Sequence, residues 1–393
     1  MADQEERHHA RLFINRNSPF KPHAAQHRGL ASEMTFYWLL FFVPAWFALS
    51  SRASTPSAFN QKYSIRLNTI WIGALFILTL LIGYRFEVGG DWGSYLRHLG
   101  EARYDTGFSA ISRGDPAYRL LNLLAVRQGW NISGVNLISG FLFSIGLIIF
   151  CRGLPRPWLA LTIAIPYLVI VVAMGYTRQS IALGLSMLGL VALMRKENRM
   201  FVIWIILAAT FHKSAVLLLP IAALAATHNK YWTSLWIGVV SLVAYYIFLD
   251  PSVDSLYMNY VEAQYQSQGA IIRASMNLVP AVLYLSLSKR FLMQYAEARL
   301  WRWFSILSIV LFFAAIAMPT TTAVDRIALY MLPLQLVIFS YLPDVLGKRG
   351  GQNNGLVCLI LTYYACVLFV WLNFASHSNY WIPYRFYPFE VWF

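Results

Sequence analysis

The residues best suited to chemistry lie in a short polar stretch beside an apolar run. Between Gly83 and Tyr95 the chain carries Arg85, Glu87 and Asp91 among four glycines. A charged side chain at hydrocarbon depth costs about 2.5 to 3.5 kcal/mol on insertion scales. We therefore expect these three side chains to face water, each other or an anionic ligand. The glycines allow the backbone to turn tightly and to approach such a ligand.

Further ionisable residues lie at the ends of later apolar runs, and the topology argued below puts them on the same face as Arg85. They are Arg178, His212, Lys213, Asp325 and Arg326. Arginine can bind phosphate oxygens through two parallel hydrogen bonds, whereas lysine acts as a point charge. The pattern predicts a diphosphate site. The residues expected to form it are Arg85, Arg178, Lys213 and Arg326.

Structural ion pairs are the alternative interpretation of the same residues. Arg85 could pair with Glu87 or Asp91, and Arg326 with an acid from another helix. Asp325 and Arg326 are neighbours on a predicted helix, so their side chains point in different directions and need not pair.

Two residues compete for the role of general base. His212 interrupts an apolar run, and histidine titrates close to neutral pH. Asp91 lies in a loop, where its carboxylate keeps an ordinary pKa unless it is buried. The sequence leaves the choice between them open.

No metal or cofactor is expected. The acids form no compact ligand set, and His8 and His9 lie in a polar tail. Cys151, Cys358 and Cys366 are odd in number and lie in or beside apolar runs, so they indicate apolar packing rather than disulfides or zinc.

The composition indicates an all-α polytopic integral membrane protein. Hydrophobic residues make up 58% of the 393 residues and charged residues 12%. A polar tail at 1–33 lacks a signal-peptide cleavage site and precedes a single membrane domain at 34–393. We expect about ten to twelve transmembrane or half-membrane helices. The apolar runs are 34–50, 67–84, 132–150, 158–174, 178–194, 232–249, 274–288, 302–318, 324–342 and 356–374.

Charge predicts the orientation of these helices. The net charge is +14, and the basic residues gather in loops near positions 52–66, 152–156, 195–199, 289–302 and 348–349. Basic loops of a membrane protein face the cytoplasm. The outer face is then formed by loops 85–131, 175–177, 250–273 and 319–323 and by the tail 375–393.

Two segments decide whether this orientation is consistent. Residues 200–226 would form a helix of roughly 40 Å, longer than a normal crossing, and His212 interrupts them. We therefore predict two short helices that meet near His212 in a broken or re-entrant arrangement, which requires protein or a wet cavity around it. The basic tail conflicts with an outward amino terminus, unless the first segment fails to cross fully, for example through a bend at Pro44.

Two outer segments are predicted from local pattern. Asp115 as N-cap and Pro116 at the first position begin a helix with apolar residues at helical spacing, typical of an amphipathic surface helix rather than a substrate lid. The aromatic residues at 380–393 are expected to form an interface belt, although stacked rings can also bind sugars.

Several of these blocks together resemble the EpsG family of polysaccharide polymerases, which is related to Wzy-type repeat-unit polymerases. The resemblance depends on YRFEVGGDWGSY at 84–95, DPAYRLLN at 115–122, TRQSIALGL at 177–185, FHKSA at 211–215 and DRIALY at 325–330. The middle residue Gly90 departs from the Gly-Thr-Asp triplet common in the family.

The resemblance implies a fold similar to the membrane-integral glycosyltransferases and an inverting, metal-independent transfer. A growing glycan would pass from undecaprenyl diphosphate onto a sugar hydroxyl of an incoming lipid-linked repeat unit, at the outer face of the bacterial inner membrane. The implied partners are these lipid-linked glycans and membrane lipid, with a chain-length regulator as a further candidate, but no nucleic acid. Residues expected to contact glycan or to support the site are Glu87, Trp92, Tyr95, Asp325 and Tyr330.

Two alternatives stay open at this point. An O-antigen-type ligase differs only in its acceptor. A transporter or flippase for lipid-linked glycan also needs intramembrane charges and broken helices, although many transporters contain internal repeats that this sequence lacks.

Overall fold

A computed structural model describes residues 30–52, 68–107, 114–221, 230–249, 269–318 and 321–392. The regular secondary structure of this part of the chain consists of helices, without strands, and agrees with the predicted all-α polytopic class. The first helices are α1 (Leu30–Ser50), α2 (Thr69–Gly83), α3 (Trp92–Glu101), α4 (Pro116–Arg127), α5 (Ile132–Arg152), α6 (Pro157–Ala164), α7 (Thr177–Met194) and α8 (Asn198–Phe211). The later helices are α9 (Lys230–Ala244), α10 (Ala270–Leu287), α11 (Tyr295–Ala317), α12 (Thr322–Ala328), α13 (Pro333–Leu346), α14 (Asn354–Phe374) and α15 (Tyr387–Trp392).

Five helices of the described part are long and apolar enough to cross a membrane, namely α5, α7, α10 (extended to Arg290), α11 and α14. The predicted run 324–342 is not one straight helix. A 40° bend separates Thr322–Met331 from Pro333–Leu346, and proline at the start of the second part explains the break. Shorter apolar helices lie at 34–50, 69–83, 157–173, 198–211 and 235–248.

Helix α7 lies at the centre of the bundle. Within its candidate span 89% of the residues are buried, against 33% in α14. Close contact between α5 and α7 depends on glycine, because a Cβ on Gly146 would lie 2.0 Å from the carbonyl oxygen of Gly184. Small residues that let two backbones meet are typical of membrane helix pairs.

The chain is broken at His212, as predicted. Helix α8 ends at Phe211, His212 is extended, and a 3-10 turn follows at Lys213–Leu218. Residues 222–229 and 250–268 lie outside the described part, and with them the end of the predicted re-entrant segment and most of the 250–273 loop.

The first helix runs the length of the bundle. Near its start, Phe36 stacks on Tyr384 with ring centroids 3.7 Å apart. Near its end, Phe47 stacks on Trp158 at 4.6 Å. Helix α1 is continuous through Pro44, so the chain is not broken there. The incomplete crossing of this segment stays a prediction. Of the predicted tail at 1–33, residues 1–29 lie outside the described part and residues 30–33 begin α1.

The carboxyl-terminal segment folds back over the polar stretch that follows α2. Residues Arg85 and Phe386 form a β-bridge, and the Gly89 amide donates to the Tyr380 carbonyl at 2.8 Å. Trp381 is only 3% exposed, and its indole donates to the Ile170 carbonyl at 2.8 Å. Part of this aromatic tail therefore belongs to the core rather than to a surface belt.

Candidate functional site

The side chain of Asp115 lies at the centre of a cluster of charged residues. Pro116 begins α4, and the Asp115 carboxylate, 6% exposed, makes no cap hydrogen bond to that helix. It accepts a hydrogen bond instead from Nη1 of Arg178, at 2.8 Å. Arg178 is the second residue of α7, so the pair joins the amphipathic surface helix to the central helix.

The break after α8 lies against the same carboxylate. The backbone amide of Lys213 is 3.4 Å from Oδ1 of Asp115. Nδ1 of His212 is 3.9 Å from Oδ2, which is too long for a direct hydrogen bond. Within the described part of the chain, neither ring nitrogen of His212 has a hydrogen-bond partner, and both are buried.

A third element brings Arg326 to this cluster. The side-chain amide of Gln179 donates to the Arg326 carbonyl at 2.9 Å, which joins the start of α7 to α12. The Arg326 side chain is exposed. Within the described part of the chain, the Arg326 guanidinium has no hydrogen-bond or ion-pair partner. The Lys213 ammonium has none either.

Asp91 is the second acid of the cluster. It is half-buried, just before α3, and its carboxylate makes no hydrogen bond to the residues that the structure describes. Burial raises the pKa of this carboxyl, while the charges of Arg326 and Arg178 oppose the rise. The two acids therefore differ, since Asp115 is held by hydrogen bonds and Asp91 is not.

Electrostatics separate the protonation states of Asp115 and His212. Burial alone would raise the pKa of Asp115, but interaction with His212 and Arg178 outweighs it and the pKa is lowered. Burial lowers the pKa of His212; Asp115 opposes this shift, while Arg178 and Arg326 add to it. At neutral pH the pair consists of a carboxylate and a neutral imidazole. Burial also lowers the pKa of Lys213.

The cluster thus holds exposed or half-exposed cations from three separate elements beside two carboxylates. Its cations are Arg178, Lys213 and Arg326, and its acids are Asp91 and Asp115. Among the described residues, no three His, Cys, Asp or Glu side chains lie together in a way that could hold a metal ion.

A family model for the EpsG family matches residues 68–386, which is most of the chain and includes every residue of the cluster. The chain belongs to the EpsG family. This family is similar to Wzy-type polymerases. No curated protein and no solved structure matches the chain.

In this EpsG-family protein Arg85 does not join the cluster. It is 1% exposed, and its guanidinium donates to the Ile82 carbonyl, to Asn136 at 3.2 Å and to Thr177 at 2.7 Å. A ligand could reach Arg85 only if these bonds broke. The expectation that Arg85 binds diphosphate is corrected accordingly, and so is the alternative that it pairs with Glu87 or Asp91.

Glu87 and Asp325 also pair elsewhere. Glu87 binds Arg385 of the carboxyl-terminal segment at 2.9 Å. Asp325 binds Arg273 of α10 through two hydrogen bonds, of 2.6 and 2.8 Å. The prediction that Asp325 and Arg326 diverge is therefore confirmed, and these two acids support the framework of the site.

The three aromatic candidates lie around the cluster with different exposure. Tyr95 is buried, and its ring meets that of Tyr118 edge-on at 5.9 Å. Trp92 is half-exposed beside Phe86, at 6.1 Å. The Tyr330 hydroxyl lies 3.2 Å from that of Ser214, in the turn after the break. Of the three, Trp92 alone combines a large ring with access to solvent.

Asp115 was the residue that sequence reasoning missed. The Asp-Pro pair predicts a helix start, which is confirmed, and a capping side chain, which is wrong because Asp115 makes no cap hydrogen bond. The sequence carries no signal for this role, because an N-cap residue and a residue before proline share the same non-helical backbone region.

Proposed function

We propose that this protein is a polysaccharide repeat-unit polymerase. It transfers a growing glycan from undecaprenyl diphosphate onto a sugar hydroxyl of an incoming lipid-linked repeat unit. Membership of a family similar to Wzy-type polymerases supports the reaction class, and the apolar helices support a multi-pass membrane location.

One observation carries the proposal. Three cations from separate elements come together, and within the described part of the chain they keep N–H donors that have no partner. As the bond between the anomeric carbon and the diphosphate oxygen breaks, negative charge builds up on the leaving group. Arg178, Lys213 and Arg326 stabilise that charge from fixed positions. The lipid diphosphate is already an activated leaving group, so the proposal requires no nucleotide and no metal ion.

The attacking hydroxyl must lose its proton as the new glycosidic bond forms. Asp91 is the better placed of the two candidate bases, because it is half-buried and without a hydrogen bond in the described part, whereas both ring nitrogens of His212 are buried. We assign the proton to the Asp91 carboxylate. Attack opposite the leaving diphosphate inverts the anomeric carbon.

The charge distribution supports an outward-facing site at the bacterial inner membrane. Arg178 begins α7 and Arg195 follows the end of the same helix, so the cluster and the basic loops lie at opposite ends of the bundle. Since basic loops face the cytoplasm, the cluster is proposed to face the periplasm or exterior.

Replacing Arg326 tests this function. We expect Arg326→Ala to slow polymer formation from purified lipid-linked repeat units by about 10²-fold to 10³-fold, the effect of removing one fixed donor from a developing anion. Polymer length is read by gel electrophoresis in detergent, where no second compartment exists. The matched control is Arg97→Ala, an exposed arginine of α3 that bonds to Ser94.

A wild-type chain that binds lipid-linked glycan but forms no polymer under these conditions would refute the polymerase proposal. It would favour a transporter. Transfer only onto an unrelated acceptor would favour a ligase.

A further inference from the structure

The strongest feature of the cluster that the proposed reaction does not use is the buried carboxylate of Asp115. It is 6% exposed, and a buried charge is stable only where partners compensate it. Its partners come from two other elements, Arg178 at the start of α7 and the amide of Lys213 after the break.

We infer that Asp115 is a positioning residue that aims Arg178 at the leaving diphosphate, an inference that rests on the proposed function. The hydrogen bond to Asp115 uses one guanidinium nitrogen, Nη1 of Arg178. The side chain of Arg178 stays 35% exposed. The remaining N–H groups of the planar guanidinium can therefore face a phosphate, while the hydrogen bond to Asp115 fixes the orientation of the group.

The same carboxylate also fixes the second cation. Lys213 follows an extended residue, His212, and is the first residue of a 3-10 turn, so no preceding turn accepts its backbone amide. The contact between its amide and Asp115 at 3.4 Å fixes the backbone from which the lysine side chain projects. One acid thus sets the position of two of the three cations.

Charge predicts which kinetic constant depends on Asp115. A carboxylate behind the cations repels a diphosphate slightly, so its removal does not weaken binding of the donor. It does release Arg178 from the direction that stabilises the transition state. Loss of an interaction that matters only in the transition state lowers kcat without raising KM.

The test is a double-mutant cycle on the full-length protein with purified lipid-linked repeat units. Asp115→Asn keeps the shape of the side chain and removes its charge. We expect kcat to fall about 10-fold to 100-fold, within the range for misplaced catalytic groups, with KM unchanged or lower. Because Asp115 acts chiefly through Arg178, we expect the losses in the Asp115→Asn/Arg178→Ala double variant to be less than additive, with only the part that passes through Lys213 remaining.

The matched control is Asp105→Asn. Asp105 also binds an arginine, Arg119, at 2.9 Å, but it lies outside the cluster, so we expect wild-type kcat. Thermal unfolding of every variant in detergent separates loss of folded protein from loss of turnover.

If the wild-type chain polymerises, two results would overturn the inference and leave the proposed function standing. They are wild-type kcat in Asp115→Asn and kinetic losses that add in the double variant. A raised KM with kcat unchanged would do the same, because it would make Asp115 part of ground-state binding. No polymer from the wild-type chain would instead overturn the proposed function, and this inference with it.

Discussion

At the scale of single residues, environment shifts the pKa values of the two acids of the cluster in opposite directions. Asp115 is held by a guanidinium and a backbone amide, and its pKa is lowered. Asp91 has no such hydrogen bonds in the described part of the chain, and burial raises its pKa. A carboxyl with a raised pKa is the better proton acceptor of the two.

This difference predicts the pH dependence of the reaction. In the proposed reaction Asp91 is the general base and must be deprotonated to act, so the rate should rise with pH through its pKa. Because that pKa is raised above its ordinary value of 3.8, the acid limb of the pH–rate profile, where the rate falls with falling pH, should lie above pH 3.8. Initial polymerisation rates measured from acid to neutral pH check this.

Asp91→Asn should remove the acid limb together with most of the activity, whereas Asp105→Asn should keep both. An unchanged limb in Asp91→Asn would transfer the base role to another group, and His212→Gln is then the variant to measure.

The sequence was informative for some residues of the site and silent on others. Arg178, Lys213 and Arg326 lie at ends or breaks of apolar runs, so their place at one face follows from topology. The environment of Arg85 does not follow, because Asn136 and Thr177, which bind it, come from helices far along the chain. Long-range packing decides which charged side chains find hydrogen-bond partners in the protein interior.

At the scale of elements, breaks in helices position the chemistry. His212 and Lys213 follow a helix that ends early, and Arg326 lies on the short helix before the 40° bend. The first break could be predicted because the run was too long for one crossing. The bend between α12 and α13 was missed, since the run 324–342 has the length and apolarity of an ordinary span.

The loop that carries Asp91 depends on Gly89. Its φ is +107°, and a Cβ there would lie 2.4 Å from the Met174 carbonyl oxygen. Gly89→Ala therefore adds backbone strain, of order 1 to 3 kcal/mol, to a steric clash that requires movement of the backbone. We expect a clear loss of thermal stability in detergent and a loss of activity.

The matched control is Gly93→Ala, four residues along in α3. A Cβ at Gly93 meets nothing within 4 Å, and alanine favours a helix over glycine by about 1 kcal/mol. Equal unfolding temperatures for the two variants would contradict the role given to Gly89.

At the scale of the whole molecule, the two ends of the bundle differ in chemistry. One end carries the cluster and the folded carboxyl-terminal segment. At the other, Arg156 is buried and binds Asp344 and the Gly351 carbonyl, at 2.9 and 2.7 Å. The order and approximate bounds of most helices could be predicted, because hydrophobic length is a local property.

Single cysteines test the orientation in a variant in which the three natural cysteines are replaced by serine. Tyr104→Cys lies at the cluster end on a side chain that is 90% exposed. Arg349→Cys lies in the basic loop before α14 and is exposed. We expect a membrane-impermeant maleimide to label Tyr104→Cys in cells whose outer membrane is permeabilised, and Arg349→Cys only after the inner membrane is opened. The reverse pattern would place the cluster in the cytoplasm.

The bridge between Arg85 and Phe386 also orders events during biosynthesis. Arg85 and Gly89 are synthesised early, and their partners Phe386 and Tyr380 lie about three hundred positions downstream. The helices between them can insert and pack before these partners emerge. The loop that carries Asp91 reaches its final shape only after that late segment has emerged. We expect a nascent chain stalled before Tyr380 to be inserted in the bilayer but to lack the proposed activity.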